Sequence, residues 1–249
     1  MSESGFARPL TQLPVSRIPG YENLRVKNIR RIGWVNTSFK QMSFINFVKG
    51  EVEFKIVYYG CALGGKTSSI GYVHERVDAQ DRGNLVLLPT QNDRTLFFDF
   101  LPITGGSVKG FKVRFKLWTV PGQVMYNATR QLVLRGVDGL IFIVDSQWDR
   151  MEANIESLRN LEENLATLDL KPEQLTWMLF YNKRDLPEEQ IAPVEAIDLL
   201  LRAPERKVDR LAGDCVTGRN VFRALNLVTQ KVLRDFLVKD DLENYEAYR

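Results

Sequence analysis

Cysteine and histidine are scarce in this chain. Of its 249 residues two are cysteine, Cys61 and Cys215, and one is histidine, His74. Two thiols so far apart make neither a zinc-ligand cluster nor a disulfide framework. A single imidazole leaves Ser-His-Asp chemistry or a multi-histidine metal centre without material. Long apolar runs are missing too. The longest candidate, Leu140-Ile141-Phe142-Ile143-Val144, falls far short of the roughly 20 residues that a membrane span needs. The first 20 residues carry Pro9, Pro14, Pro19 and two glycines and no apolar stretch of the secretory kind. These absences point to a soluble, cytoplasmic protein whose chemistry runs on neither thiol-held metals nor histidine clusters. What is present is a globular composition, 44% hydrophobic and 26% charged, sufficient for a sizeable core.

Charge is unevenly placed. Residues 1–41 hold seven basic residues (Arg8, Arg17, Arg25, Lys27, Arg30, Arg31, Lys40) against Glu3 and Glu22, a formal +5, which leaves 27 basic and 29 acidic residues, or −2, from Met42 onward. The lead segment has no sustained period and is broken by proline and glycine, so it reads as a disordered extension. Three readings stay open for it: a solvated tail, an arm for peripheral contact with acidic membrane heads or a partner, or an artefact of a start that belongs at Met42. The chain thus divides into an extension over 1–41, one domain over 42–238 and a polar tail over 239–249. No nucleic acid is expected among its partners. The C-terminus offers no cysteine, and neither Met1-Ser2 nor Met42-Ser43 an acceptor glycine, so no lipid anchor is written.

From Glu51 the pattern becomes regular. Val52–Tyr59 is strand-like and Thr67–Val77 helical. Leu96–Leu101 and Phe111–Thr119 read as neighbouring strands joined across a Gly105-Gly106 turn. Tyr126–Leu134 is helical and Leu140–Asp145 a fully buried strand. Met151, Ile155, Leu158, Leu161, Leu165 and Leu168 step by three and four along a long helix. Trp177–Tyr181 is a strand, Pro193–Leu201 a helix opened by proline, and Leu211–Val216 a short apolar run. Val221, Leu225, Val228, Val232 and Phe236 mark a final helix. Strands alternating with helices imply an α/β fold, a mainly parallel sheet covered on both faces.

The first strand runs into Gly60-Cys61-Ala62-Leu63-Gly64-Gly65-Lys66-Thr67, which fits the phosphate-binding pattern of Gly, four residues, Gly-Lys-Thr between a strand and a helix. Such a loop turns its N–H groups inward, and the helix behind it adds a positive end. Gly60, Ala62, Gly64, Gly65, Lys66, Thr67 and Ser68 are the candidate phosphate contacts. Lys66 would reach the β- and γ-phosphates, and the Thr67 hydroxyl would ligate Mg²⁺. Asn182-Lys183-Arg184-Asp185 selects the base. A carboxylate at Asp185 can accept both N1–H and N2–H of guanine, a donor pair that adenine lacks. Asn182 would face the N7 side, and the stem of Lys183 would lie along the base plane. Cys215, before Thr217-Gly218, could present a backbone N–H to the guanine oxygen. GTP, GDP and Mg²⁺ are the expected ligands.

With these motifs in place, the block from Met42 to about Phe236 resembles the MglA-type family of bacterial Ras-like small GTPases of gliding-motility polarity. The residues that carry the resemblance are Met42-Ser43-Phe44-Ile45-Asn46, Lys55-Ile56-Val57-Tyr58-Tyr59-Gly60, Asp93-Arg94-Thr95-Leu96-Phe97-Phe98-Asp99-Phe100, Thr119-Val120-Pro121-Gly122-Gln123, Gly136-Val137-Asp138-Gly139, Asp145-Ser146-Gln147, Arg150-Met151-Glu152-Ala153-Asn154 and Asn182-Lys183-Arg184-Asp185-Leu186-Pro187. The resemblance implies a Ras-like P-loop domain that hydrolyses GTP. Its switch segments would span roughly Leu85–Leu101 and Thr119–Leu134. It implies Gln123 as the glutamine that orients the attacking water, Gly122 beside the nucleotide, and Thr95 as the threonine that senses Mg²⁺ and the γ-phosphate. Arg94 would be an intrinsic arginine acting in cis, although without the family a surface arginine paired to Asp93 or Asp99 is an equal reading. It further implies an MglB-like roadblock-domain activating partner, downstream polarity or motility effectors, and recruitment to a cell pole.

Two residues depart from the wider Ras-like pattern. Thr119 stands where most such GTPases place an aspartate holding a Mg²⁺ water, and this threonine is itself an MglA-type feature. Ala62 stands where MglA-type loops usually carry glycine, and its methyl lies near the space that the water, Gln123 and Arg94 must share. A nucleotide-binding scaffold with negligible hydrolysis is therefore the alternative reading. A P-loop ATPase or kinase is a third, opposed by Asp185. Cys61 is read as a packing residue or, if the loop's positive field makes it acidic, a redox-sensitive thiol. Trp118 and Trp148 are read as core or partner-facing aromatics. Val124, Met125 and Tyr126 are better candidates for partner contact.

Overall fold

Side chains on a strand alternate between faces, and along Glu51–Gly60 both faces are covered. Val52, Phe54, Ile56 and Tyr58 enter one core, and Val57 and Tyr59 enter a second on the opposite side. The computed structural model describes residues 44–46, 49–86, 100–108, 110–123 and 126–239. In chain order the strands are β1 (Phe44–Asn46), β2 (Glu51–Gly60), β3 (Phe100–Val108), β4 (Phe111–Thr119), β5 (Gly139–Asp145), β6 (Thr176–Asn182) and β7 (Asp209–Ala212). The helices are α1 (Lys66–Arg76), α2 (Asn127–Leu134), α3 (Met151–Thr167), α4 (Val194–Leu200), α5 (Ala203–Arg206) and α6 (Val221–Lys239).

The sheet runs β3-β4-β2-β5-β6-β7. Pairing is parallel from β4 through β2, β5 and β6 to β7, and antiparallel between β3 and β4. The short β1 adds antiparallel to Glu51–Glu53. Helices α1 and α6 cover one face through Ile70, Val73, Leu225, Val228 and Val232. Helices α2, α3 and α4 cover the other through Val133, Leu134, Leu158, Leu161, Leu165 and Ile197. Each such aliphatic side chain contributes about 1.5–3 kcal/mol when fully buried. This is the mainly parallel, doubly covered α/β sheet expected from the strand–helix alternation.

One expectation needs correction. The Gly105-Gly106 pair is not the turn between β3 and β4: both glycines lie inside β3, where the register shifts between Thr104 and Ser107. The reversal comes later, at Gly110 with φ +82°. Two adjacent glycines serve a β-bulge as well as a turn, and the sequence does not separate the two. The last short strand also begins two residues earlier than its apolar run suggests, at Asp209. Leu96–Asp99 lie outside the described residues. Beyond β3, the open edge of the sheet is covered by Asp81–Val86. There Gly83 N donates to Pro102 O at 2.9 Å, Thr104 N to Asp81 O at 2.7 Å, and Val86 and Phe100 exchange amide–carbonyl bonds at 3.0 Å. Trp118 packs inward against Phe100, ring centroids 4.7 Å apart, with the Lys55 ammonium over its ring at 4.7 Å. Burial lowers the Lys55 pKa to about 8. Trp148 is half exposed.

Candidate functional site

Parallel strands deliver their following loops to one edge of the sheet, at the carboxyl ends of the strands. Here β2 ends in the 60–66 loop, β4 in Val120–Gln123, β5 in Ser146–Arg150 and β6 in Lys183–Asp185. The loop after β7 brings Asp214 and Cys215 to the same edge.

The loop after β2 closes on itself. Gly64 N donates to Cys61 O at 3.4 Å, and the Lys66 ammonium, 6% exposed, donates to Gly60 O at 3.0 Å and Cys61 O at 2.7 Å. Gly65, at φ +105°, is the residue from which α1 starts. A side chain there would overlap the Asn182 amide and bring its Cβ to 3.3 Å from Asn182 Cγ, so backbone freedom and close approach both call for glycine. Thr67 and Ser68 lie exposed in the first turn of α1, at the end of the helix that favours an anion.

Asn182 joins three loops. Its Nδ2 donates to Gly64 O at 2.8 Å, and its Oδ1 accepts from Cys215 N at 2.9 Å. The next residue, Lys183, at φ +64°, sends its ammonium to Asp145 Oδ2 at 2.6 Å and Gln147 Oε1 at 2.9 Å. This stretches its stem along the floor of the loop cluster. Asp185 is exposed, its carboxylate open to an incoming ligand. Cys215 Sγ lies 2.9 Å from Ser69 Oγ, which packs this loop onto α1.

At the other end, β4 finishes at the buried Thr119, paired in register with Tyr58. Gly122 then lies against the phosphate-loop backbone: a Cβ there would stand 2.7 Å from Ala62 N and 3.0 Å from Ala62 Cβ. Gln123 follows, half-buried. Of the residues named from sequence, the structure thus brings Gly60, Ala62, Gly64, Gly65, Lys66, Thr67, Ser68, Gly122, Gln123, Asn182, Lys183, Asp185 and Cys215 to one edge of the sheet. Arg94, Thr95, Val124 and Met125 lie outside the described residues. Among the described residues no group of three or more His, Cys, Asp or Glu side chains could hold a metal ion. The donors present, the Thr67 hydroxyl above all, suit a hard cation that arrives on phosphate oxygens and keeps several of its waters.

The profile of the ADP-ribosylation factor family matches residues 42–232. The chain belongs to that family. It is 46% identical over 194 residues to the Mutual gliding-motility protein MglA of Myxococcus xanthus (strain DK1622), an overlap of 78% of this chain and 97% of that protein. It is a small GTPase of the MglA type.

Several residues at this small GTPase's site are not marked by any sequence motif, or only by the resemblance. Asp145, fully buried, holds Lys183 and lies 3.7 Å from Arg150 Nε. Arg150 in turn donates to Ala62 O at 2.8 Å. One carboxylate therefore serves both the base-side lysine and the arginine clamped on the phosphate loop. Asn154 locks the same corner, accepting from Asp145 N at 3.0 Å and from the Cys61 thiol at 3.4 Å. Arg130, on the face of α2 turned to α3, carries no sequence signal at all. The pattern Asp145-Ser146-Gln147 with Arg150 could have signalled the first pair, because a charged residue ending a buried strand needs a partner. The alternative of an acidic, redox-sensitive Cys61 is not realised. Burial pushes its thiol pKa up, outweighing the downward pull of Lys66. The Cys215 thiol is likewise pushed by burial, to about 11.

No helix among the described residues is long and apolar enough to cross a membrane.

Proposed function

We propose that this small GTPase cycles between GTP and GDP forms and hydrolyses GTP to GDP and phosphate, as a switch in cell polarity or motility. The observation that carries the reading is the pair of contacts made by Asn182, to Gly64 and to Cys215, which joins the phosphate loop to the base-recognition loops. The amides of the 60–66 loop, the Lys66 ammonium and the N-terminus of α1 would bind the phosphates. Lys66 Nζ, on Gly60 O and Cys61 O, is held at the loop where those phosphates would lie. Asp185 would accept N1–H and N2–H of guanine. The stem of Lys183 would lie along the base, and Cys215 N–H, now given to Asn182, would neighbour the guanine oxygen. Magnesium, held by Thr67 and Thr95, would neutralise charge on the β- and γ-phosphates.

For hydrolysis the chain must orient a water and place positive charge where the transferring phosphoryl group develops negative charge. Gln123, presented by Gly122 against Ala62, would hold the water. Arg94 would supply the charge, a contribution of about 10³–10⁵ in rate when well placed. The likeness to MglA supports an MglB-like roadblock-domain protein as the activating partner, motility or polarity effectors downstream, and a cytoplasmic protein recruited to a cell pole. The Ala62 methyl beside Gly122 favours a second reading, a nucleotide-gated scaffold that turns GTP over negligibly. GTP turnover by the purified protein, alone and with the roadblock partner, decides between the two. Stimulated turnover that collapses in Arg94→Ala establishes the switch; tight GTP binding with no turnover in either setting establishes the scaffold.

A further inference from the structure

Arg130 is 0% exposed, and its contacts form an unusual set for an arginine. Nε donates to Pro121 O at 2.8 Å, and one terminal nitrogen donates to Gly122 O at 2.7 Å. The other donates to Asn160 Oδ1 at 2.6 Å and Tyr59 OH at 3.3 Å. The guanidinium carbon stands 5.1 Å from the centre of the Tyr59 ring. Every one of these acceptors is neutral. Burying a guanidinium among neutral groups is costly, and an apolar side chain would fill the same volume without that penalty. What the guanidinium supplies is direction: two adjacent N–H groups aimed at two successive carbonyls.

Those carbonyls belong to the segment that precedes Gln123. The far end of the same segment is gripped as well. Asn127 Oδ1, at the start of α2, accepts from Asn160 Nδ2 at 3.0 Å and from Asn164 Nδ2 at 2.7 Å. Asn164 Nδ2 also reaches Tyr59 OH at 3.1 Å. Gln123 is therefore bracketed, Gly122 behind it and Asn127 ahead, by one polar cluster rooted in α3. The cluster includes Tyr59, the residue before Gly60 of the phosphate loop. Gly122, held by Arg130 on its carbonyl side, meets Ala62 on its Cα side.

We propose that Arg130 is a positioning residue of the switch: through Pro121, Gly122 and the Tyr59–Asn160–Asn164–Asn127 cluster it fixes Gln123 against the phosphate loop in the GTP form. The inference rests on the reading of the chain as a GTP/GDP switch. It requires Arg130 to act on the γ-phosphate-dependent state, leaving base and α,β-phosphate binding to the loops described above.

The test uses the full chain and two variants. Arg130→Lys keeps the charge and loses the fork, and Asn127→Ala releases the other end of the bracket from a half-buried position with little risk to folding. The affinities for GDP and for a non-hydrolysable GTP analogue are measured, with steady-state GTP turnover in the presence of the roadblock partner. Expected are a GDP affinity within about twofold of wild type, analogue affinity weakened about tenfold, and kcat lowered about 10–100-fold, since misplacement of a reacting group by about 1 Å costs rate on that scale. Two results overturn the inference: both variants keeping the wild-type ratio of GDP to analogue affinity, or both affinities falling together in step with the melting temperature. Absence of turnover in the wild type overturns the hydrolysis reading instead, and the affinity ratio still decides the role of Arg130.

Discussion

Asn182 donates from Nδ2 to the carbonyl of Gly64 at 2.8 Å, across 118 residues of sequence. With its Oδ1 on Cys215 N it ties the loop after β2 to the loop after β7. Asn182→Ala leaves a buried carbonyl and a buried amide to find other partners, at about 1–3 kcal/mol. The expected outcome is GDP affinity lower by about 5–150-fold, read by titration calorimetry. Unchanged affinity would show that the tie plays no part in binding.

Gly122 lies too close to Ala62 to carry a side chain in this arrangement. Gly122→Ala should hold GDP normally yet fail to reach the GTP-bound geometry, with turnover down by about 10² or more. The complementary change, Ala62→Gly, removes the methyl from the shared space and should raise kcat. Single-turnover kinetics on both variants check the pair. Equal rates in wild type and Ala62→Gly would free the methyl of any part in slow hydrolysis.

Asp185 is exposed, and under the proposed function its carboxylate would accept both N1–H and N2–H of guanine. Asp185→Asn replaces one acceptor by an amide donor, which suits the 2-oxo group of xanthine in place of the guanine amine. GTP affinity should fall by at least about 10²-fold while affinity for xanthosine triphosphate rises. Competition of the two nucleotides for a fluorescent GDP analogue measures the exchange. A variant that lost both nucleotides would point to a fold defect.

The Cys215 thiol, raised by burial from 9.0 to about 11, holds roughly 100-fold less thiolate near neutral pH than an unperturbed thiol. Alkylation by iodoacetamide at pH 8 should be correspondingly slow in the native protein and become fast on unfolding. The same shift has a definite sign for stability. Between pH 9 and about 11 the unfolded thiol loses its proton while the folded one keeps it. The folded state then binds more protons, and stability falls as pH rises through that window. Urea midpoints at pH 8 and pH 10.5 should show a smaller drop in Cys215→Ser than in wild type.

The fold was legible where periodicity was clean. The three-and-four spacing of Leu158, Leu161 and Leu165 and the unbroken apolar run of β5 define their elements without help, because burial on one helix face or on both strand faces writes itself into the order of residues. The strand–loop–helix around Gly60–Thr67 was legible because its tight turn forces glycine to fixed offsets ahead of the helix. Gly105-Gly106 misled because a bulge and a turn ask for the same residue. Arg130 was illegible for a different reason. Two of its partners are the carbonyls of Pro121 and Gly122, and a backbone carbonyl leaves no mark in a sequence. Only the fold discloses which arginine points at the main chain.

The strip Asp81–Val86 along β3 has a meaning for how this protein behaves in concentrated solution. It gives the first half of β3, Phe100 to Thr104, hydrogen-bond partners from the same molecule, and a bare strand edge is a template that another chain can extend. Any rearrangement that draws Asp81–Val86 away would leave that edge unguarded for as long as the rearrangement lasts. Exposure of that edge is then tied to the position of one strip of backbone: conditions that loosen it would bare the amide and carbonyl of Phe100, the carbonyl of Pro102 and the amide of Thr104.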